Sequence, residues 1–135
     1  MAGTYPDTFY RVAVKALIRD EEGKILLIKE KSDKWDLPGG GLNHGEEPEA
    51  GLARELKEEV GISEDITVGK IIQQKSFWIE EKQAYLMWIV YEVIIPNAGK
   101  FHFGDGVTAI AYIDPESFRD SADERERYLA TFKTS

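Results

Sequence analysis

Two hydrophobic rhythms run along this chain, and the switch between them marks its elements. From Tyr10 to Arg19 the residues YRVAVKALIR are apolar and β-branched with few breaks, which predicts a strand. Asp20-Glu21-Glu22-Gly23 has turn composition, and Ile25-Leu26-Leu27-Ile28 returns as an apolar run suited to a central strand, so the pair predicts a hairpin. A polar loop from Lys29 to Lys34 leads into Trp35-Asp36-Leu37-Pro38, where the proline biases Leu37 toward an extended backbone and delivers the chain into Gly39-Gly40-Gly41. The period then becomes helical. Leu52, Ala53, Leu56 and Val60 fall on one stripe at 100° per residue, and Glu55, Glu58 and Glu59 gather on another part of the circumference. Pro48 suits a first helical turn and Gly61 the left-handed residue that ends one, so a helix is expected from about Pro48 to Val60.

Strand character resumes in Ile66 to Ile79 and Ala84 to Ile95, joined by Glu80-Glu81-Lys82-Gln83 in a second hairpin pattern. Both faces of the second segment are apolar except at Glu92, which places it inside the sheet. The aromatics Phe77, Trp78, Tyr85, Trp88 and Tyr91 read first as core. Pro96-Asn97-Ala98-Gly99 is a turn, Phe101 to Gly106 a loop carrying His102 and Asp105, and Val107 to Ile113 a further strand. Asp114 to Phe118 makes a helical turn, and Ser121 with Glu124 forms a capping box for a last helix reaching about Phe132 and covering one sheet face. The class is α/β in the broad sense (α+β). No repeat, low-complexity tract or linker interrupts residues 1–135, which are expected to form a single domain.

Composition narrows the function. A chain of 135 residues buries about two-thirds of its unfolded surface and needs no staples. With no cysteine, disulfides, thiolate catalysis and Cys-ligated zinc are excluded. The net charge of −8 argues against a nucleic-acid polymer as partner, because such binding rests on many Lys and Arg contacts to phosphate. The first residues lack a basic segment followed by an apolar run, and the apolar run Ala84 to Tyr91 is too short to span a bilayer, so no membrane partner and a cytoplasmic location are expected.

The chemistry lies on the glutamate face of the first helix. Like charges at i, i+3 and i, i+4 each cost a few tenths of a kcal/mol in an isolated helix, so three crowded glutamates need compensation. Arg54, one turn from Glu58, supplies part, and a hard divalent cation that prefers oxygen ligands is the other candidate. The glycine run just upstream lets backbone approach an ion or phosphate closely, which a merely solvated acidic helix would not need. His44 and His102 are too few and too separated for a histidine-based metal site, and Lys29, Lys31 and Lys34 read as a solvated loop.

The full spacing is Gly40, five residues, Glu46, seven residues, Arg54-Glu55-Leu56, one residue, Glu58-Glu59, one residue, Gly61-Ile62. It resembles the Nudix box of the Nudix (MutT-like) hydrolases at every fixed position, an agreement with a chance of about 10⁻⁸ per starting position. The surrounding order of strand, DEEG turn, strand, WDLPGG, box helix, hairpin and Tyr112-Ile113-Asp114-Pro115-Glu116 resembles the family over nearly the whole chain.

The resemblance implies an α/β/α sandwich around a mixed central sheet. It also implies an enzyme that uses Mg²⁺ or Mn²⁺ to cleave a nucleoside diphosphate linked to another moiety by water attack on phosphorus. Carried over by position, Glu55, Glu58 and Glu59 would be metal ligands with the backbone carbonyl of Gly39 or Gly40, and Glu46 and Arg54 would hold the loop and orient those carboxylates. The general base would be Glu55 or Glu58. Many members carry a further glutamate ligand before the last strand, where this chain offers Asp105, and many have tryptophan where Tyr112 stands. Trp35, Phe77 and Trp78 are the flat side chains available to stack on a base.

The expected partner is a small nucleotide, with the chain acting as monomer or homodimer. Ser76-Phe77-Trp78-Ile79-Glu80 lacks the proline or tyrosine that tends to mark ADP-ribose and dinucleoside polyphosphate hydrolases, which leaves a (d)NTP pyrophosphohydrolase ahead of those and of nucleotide-sugar hydrolases. A nucleotide-sensing module without catalysis usually loses box carboxylates, and this chain keeps them all. A plain calcium binder would need the alternating oxygen ligands of an EF-hand loop, which are missing.

Overall fold

The computed structural model describes residues 9–62, 64–96 and 100–134. The expected turn at 96–99 lies mostly outside them. Among the described residues, seven strands, β1 (Tyr10–Leu17), β2 (Ile25–Lys29), β3 (Trp35–Asp36), β4 (Gly39–Gly41), β5 (Thr67–Ile79), β6 (Ala84–Ile94) and β7 (Ala109–Ile113), are joined by two α-helices, α1 (Pro48–Val60) and α2 (Glu124–Tyr128). The fold class is mixed α+β, as the sequence predicts.

The central layer is not one sheet. A mixed four-stranded sheet runs β4-β1-β6-β5, with β1 and β6 parallel, and an antiparallel three-stranded sheet runs β3-β2-β7. The predicted β1–β2 hairpin survives only at its turn. Asp20 Oδ1 accepts from the N–H groups of Glu22 and Lys24, Gly23 takes a φ of +82°, and one bridge joins Arg19 to Ile25. Beyond it the strands part, because β4 and β6 occupy both edges of β1 while β3 and β7 flank β2. The second hairpin forms as predicted, closed by a 3-10 turn over Glu80–Lys82 and Gln83 at φ +49°. As expected, β6 is interior, between β1 and β5.

Two cores lie on opposite faces of the strands. Val14, Ala16, Ile18, Leu26 and Ile28 face Leu52, Leu56 and Val60 of α1. Ala13, Leu17, Ile25, Leu27, Leu37, Phe77 and Trp88 face Phe118, Leu129 and Phe132 near the C-terminus. Each fully buried aliphatic side chain contributes about 1.5–3 kcal/mol, so Leu52, Leu56 and Val60 suffice to seat the box helix.

The helix obeys its predicted limits, with Pro48 in the first turn and Gly61 at φ +77°, where Gly61 N–H donates to Lys57 and Ile62 N–H to Leu56. Its buried face differs from the expected stripe at three residues, losing Ala53 and gaining Gly51 and Glu59. Ala53 is exposed, whereas Gly51 is buried, where a Cβ would meet a Leu42 methyl at 2.5 Å and a Glu46 carboxylate oxygen at 2.9 Å.

The last helix is shorter than expected and capped two residues later. Asp123 Oδ2 accepts from Glu126 N–H, α2 ends at Tyr128, and a 3-10 turn over Leu129–Phe132 continues it. Ser121 instead donates its hydroxyl to the Glu126 carboxylate at 2.8 Å.

Candidate active site

The box folds into a strand, a loop and a helix that bring its charges together. In β4, Gly39, Gly40 and Gly41 pair with Lys15, Val14 and Ala13 of β1, and the start of the loop is tied back by Leu42 N–H to the carbonyl of Val12. Arg54 reaches from α1 across this loop. Its Nε lies 2.8 Å from Glu46 Oε2 and one Nη 3.0 Å from Glu46 Oε1, a two-pronged pair; the same Nη is 3.2 Å from the Gly41 carbonyl. The other Nη is 3.1 Å from Glu55 Oε1 and 3.3 Å from Glu58 Oε2. One guanidinium thus ties the loop to the helix and separates three carboxylates. The hydrogen bond from Arg54, helped by Asn43 N–H, holds the Glu46 carboxyl down to about 2, and the Glu46 contact raises Arg54 further above its already high value.

Glu55 lies under Gly40. A Cβ on Gly40 would come within 2.7 Å of the Glu55 carboxyl carbon, so only glycine leaves this approach between backbone and carboxylate open. Glu58 is the outermost glutamate, with its side chain 58% exposed. Glu59 is buried, 8% exposed, and its Oε1 accepts the Gly39 N–H at 2.7 Å. Desolvation pushes its carboxyl up to about 8 against the pull of Lys15 and of that N–H, with Glu30 and Glu55 adding to the rise.

A divalent cation is compatible with this donor set. Its oxygens are hard ligands, no Cβ at Gly40 stands against the Glu55 carboxylate, and the buried carboxylate of Glu59 has one backbone N–H as its direct partner. No group of three or more His, Cys, Asp or Glu side chains converges into a ready cage among the described residues. Arg54 draws Glu58 to itself instead.

The remaining expected site residues divide. Asp105 is exposed, in a loop that packs on the end of α1: Gly104 N–H donates to the carbonyl of Glu59 and His102 N–H to that of Val60. His44 is exposed.

Phe77 cannot stack on a ligand. It is 1% exposed and packs edge-on against Trp88 and Tyr128 at 5.0 and 5.5 Å between centroids, because its side of β5 faces the C-terminal core. Trp35 is half-buried against that core, with Lys29 Nζ 4.9 Å from its ring centroid and its backbone N–H bonded to Glu126. Trp78 is 45% exposed and sits edge-on to Tyr85, which stacks on Tyr10. These three rings line a cleft of about 790 Å³ with Arg11, Lys82 and Arg125.

Sequence reasoning passed over two residues. Arg11 lines the cleft and also lies against Gly41, donating to the Leu42 carbonyl at 2.6 Å, so it links cleft and box. Lys15 is buried beside the glycine run. A lysine within an otherwise apolar strand was its signal.

Comparison with known proteins gives the family. The NUDIX domain model matches residues 9–132, and the chain belongs to that family. It is 37% identical over 78 residues to an RNA pyrophosphohydrolase of Proteus mirabilis and 40% identical over 58 residues to a MutT-like protein of Streptomyces ambofaciens. Those alignments take in 56% and 42% of this chain, and the chain spans less than half the length of the curated relatives it matches, 43% and 38% of these two. The crystal structure of a MutT protein from Methanosarcina mazei Go1 superposes with a TM-score of 0.76 at 26% identity, covering 93% of this chain and 92% of that one. No helix among the described residues is long and apolar enough to cross a membrane.

Proposed function

We propose that the chain is a metal-dependent pyrophosphohydrolase that cleaves a phosphoanhydride bond in a small nucleotide, with nucleoside and deoxynucleoside triphosphates as the leading substrates. The observation that carries this reading is the Arg54 hub. It fixes Glu46 and the loop while leaving Glu55 beneath Gly40 and Glu58 at the surface, where a water and a phosphate have access. Glu55, Glu58 and Glu59, with the carbonyl of Gly39 or Gly40, would hold Mg²⁺ or Mn²⁺. When bound, the cation neutralises phosphate charge and makes water a better nucleophile.

The chain's own groups supply the rest. Glu55 or Glu58 takes the proton from the attacking water, Arg54 keeps both carboxylates oriented, and Asp105 stands at the helix end as a further oxygen ligand. Trp78, with Tyr85 and Tyr10 beside it, offers the base a stacking wall, and Arg11 lies between that wall and the box.

The test is a panel of nucleoside and deoxynucleoside triphosphates, ADP-ribose, nucleotide sugars and dinucleoside polyphosphates, with Mg²⁺, scored by the products released. An RNA with a 5′-triphosphate belongs in the panel because of the relatives' name, although the net charge of −8 weighs against a polymer. Turnover of triphosphates with release of pyrophosphate is expected, and Trp78→Ala should raise KM about tenfold at unchanged kcat, since stacking on an aromatic is worth about 1–3 kcal/mol. Cleavage of p-nitrophenyl phosphate with no turnover of any nucleotide would refute the reading.

A further inference from the structure

Lys15 carries a charge where the strand gives it little contact with water. It is 5% exposed, its neighbours on the same sheet face, Ala13 and Leu17, belong to the core, and its ammonium lies 5.3 Å from the centroid of the Trp88 ring. An ammonium in such surroundings is tolerated only when paired and fully hydrogen-bonded. All three of its donors are used: Asp36 Oδ2 at 3.2 Å, the Leu37 carbonyl at 3.1 Å and the Gly39 carbonyl at 3.3 Å.

Those acceptors come from one short run of chain, the one that enters the glycine strand. The last of them matters most. Gly39 has a φ of +130°, which excludes other residues, and a Cβ there would also press into the backbone of Val14 and Lys15. Its carbonyl is held by Lys15, while its N–H is held by Glu59 Oε1 at 2.7 Å. A continuous relay therefore runs from Asp36 through Lys15 and Gly39 to Glu59. Nothing in the box spacing encodes it, since Lys15 and Asp36 lie outside the box.

We propose that Lys15 is a positioning residue for the metal site. By fastening Asp36, Leu37 and Gly39 it fixes the peptide whose N–H aims the Glu59 carboxylate, and so sets the affinity for the divalent cation. The Gly39 carbonyl has two lone pairs, so the ammonium leaves one for a cation. This inference rests on the reading that Gly39 and Glu59 belong to the metal site.

The test measures Mn²⁺ binding to the purified chain without nucleotide, from the electron paramagnetic resonance signal of the free ion, in wild type, Lys15→Met, Lys15→Arg and Asp36→Asn. Groups that orient metal ligands are typically worth 10–100-fold in affinity, so Lys15→Met should bind Mn²⁺ about tenfold more weakly or worse. Lys15→Arg should recover part of the loss, and Asp36→Asn, which keeps the ammonium but loosens one anchor, should lose less. A lysine needed only for the fold would lower the melting temperature and leave Mn²⁺ affinity unchanged in folded protein, and that result overturns the proposal. Tighter Mn²⁺ binding in Lys15→Met also overturns it, since the ammonium would then act as a rival charge. If Lys15→Met does not fold, the decision passes to Asp36→Asn, which must bind Mn²⁺ more weakly than wild type. A wild-type chain that binds no Mn²⁺ would sink the metal reading itself, a failure distinct from a wild type that binds while the variants match it.

Discussion

Glu46 and Glu59 belong to one sequence motif and occupy opposite electrostatic situations. Glu46 receives two hydrogen bonds from Arg54 and one from Asn43 N–H, and its carboxyl is held at about 2. Glu59 is buried with one backbone N–H for a direct partner, and its carboxyl is pushed to about 8. The box brings its own cation to one end, whereas at the other burial dominates and outweighs the pull of the Lys15 ammonium and the Gly39 N–H. Arg54 ties the loop, then, and in the proposed function Glu59 takes the cation. Glu55 and Glu58 stand between, both touching Arg54, with Glu58 the more exposed.

The most severe way to break this division is to remove charge from the middle pair. Glu55→Gln and Glu58→Gln keep the side-chain size, so both variants should fold, and kcat on the best nucleotide should fall by about 10²–10⁴. At saturating Mg²⁺ the larger loss identifies the proton acceptor. Near-wild-type turnover in both would reduce these carboxylates to partners of Arg54.

The ends separate by a different measurement. Metal at 100 times its dissociation constant stabilises a native state by about 2.7 kcal/mol, on the order of 10 °C for a domain of this size. Glu59→Gln should lose most of that Mg²⁺- or Mn²⁺-induced rise in melting temperature. Glu46→Gln should keep the rise but start from a lower baseline, since the amide has no charge to pair with Arg54 and puts an NH2 donor where one of the two accepting oxygens stood. Equal metal responses in the two variants would erase the distinction.

Much of this division was legible in the sequence, because it rests on local rules. Pro48 and Gly61 mark α1 correctly, and the glutamate face follows from helical spacing. What was not legible depends on partners distant in sequence. The hairpin of β1 and β2 gave way because β6, more than sixty residues downstream, takes the edge of β1. Phe77 and Trp78 are adjacent and aromatic, but strand alternation sends one into the core and the other to the surface, and only the packing of α2 and the C-terminal turn decides which. Gly51 gives no signal in the helical pattern and proves to be the close contact that lets Leu42 and Glu46 sit against the helix. Lys15 was passed over as one charge in an apolar strand, because its acceptors, Asp36, Leu37 and Gly39, became visible only once β4 paired with β1.

The smallest effect, and the sharpest in sign, is the dependence of stability on pH. Between about 2 and the ordinary value of 4.5, Glu46 binds fewer protons in the native state than in the unfolded chain. Its contribution is therefore complete above 4.5 and disappears as pH falls toward 2. Glu59 runs the other way in metal-free protein. Between 4.5 and about 8 the native state holds its proton more tightly than the unfolded chain does, so the contribution is complete below 4.5 and is lost as pH rises through 8. Melting temperatures of metal-free wild type, Glu46→Gln and Glu59→Gln across pH 2.5 to 9 separate the two. Relative to wild type, Glu46→Gln should lose the least stability at the acid end and the most above pH 5. Glu59→Gln, which keeps a neutral side chain at every pH, should gain on wild type as the pH passes from 5 to 8. Adding Mn²⁺ should reverse that second trend, because the ion favours the ionised carboxylate that burial alone opposes. Parallel profiles for all three proteins would show that the two ends of the box share one electrostatic environment.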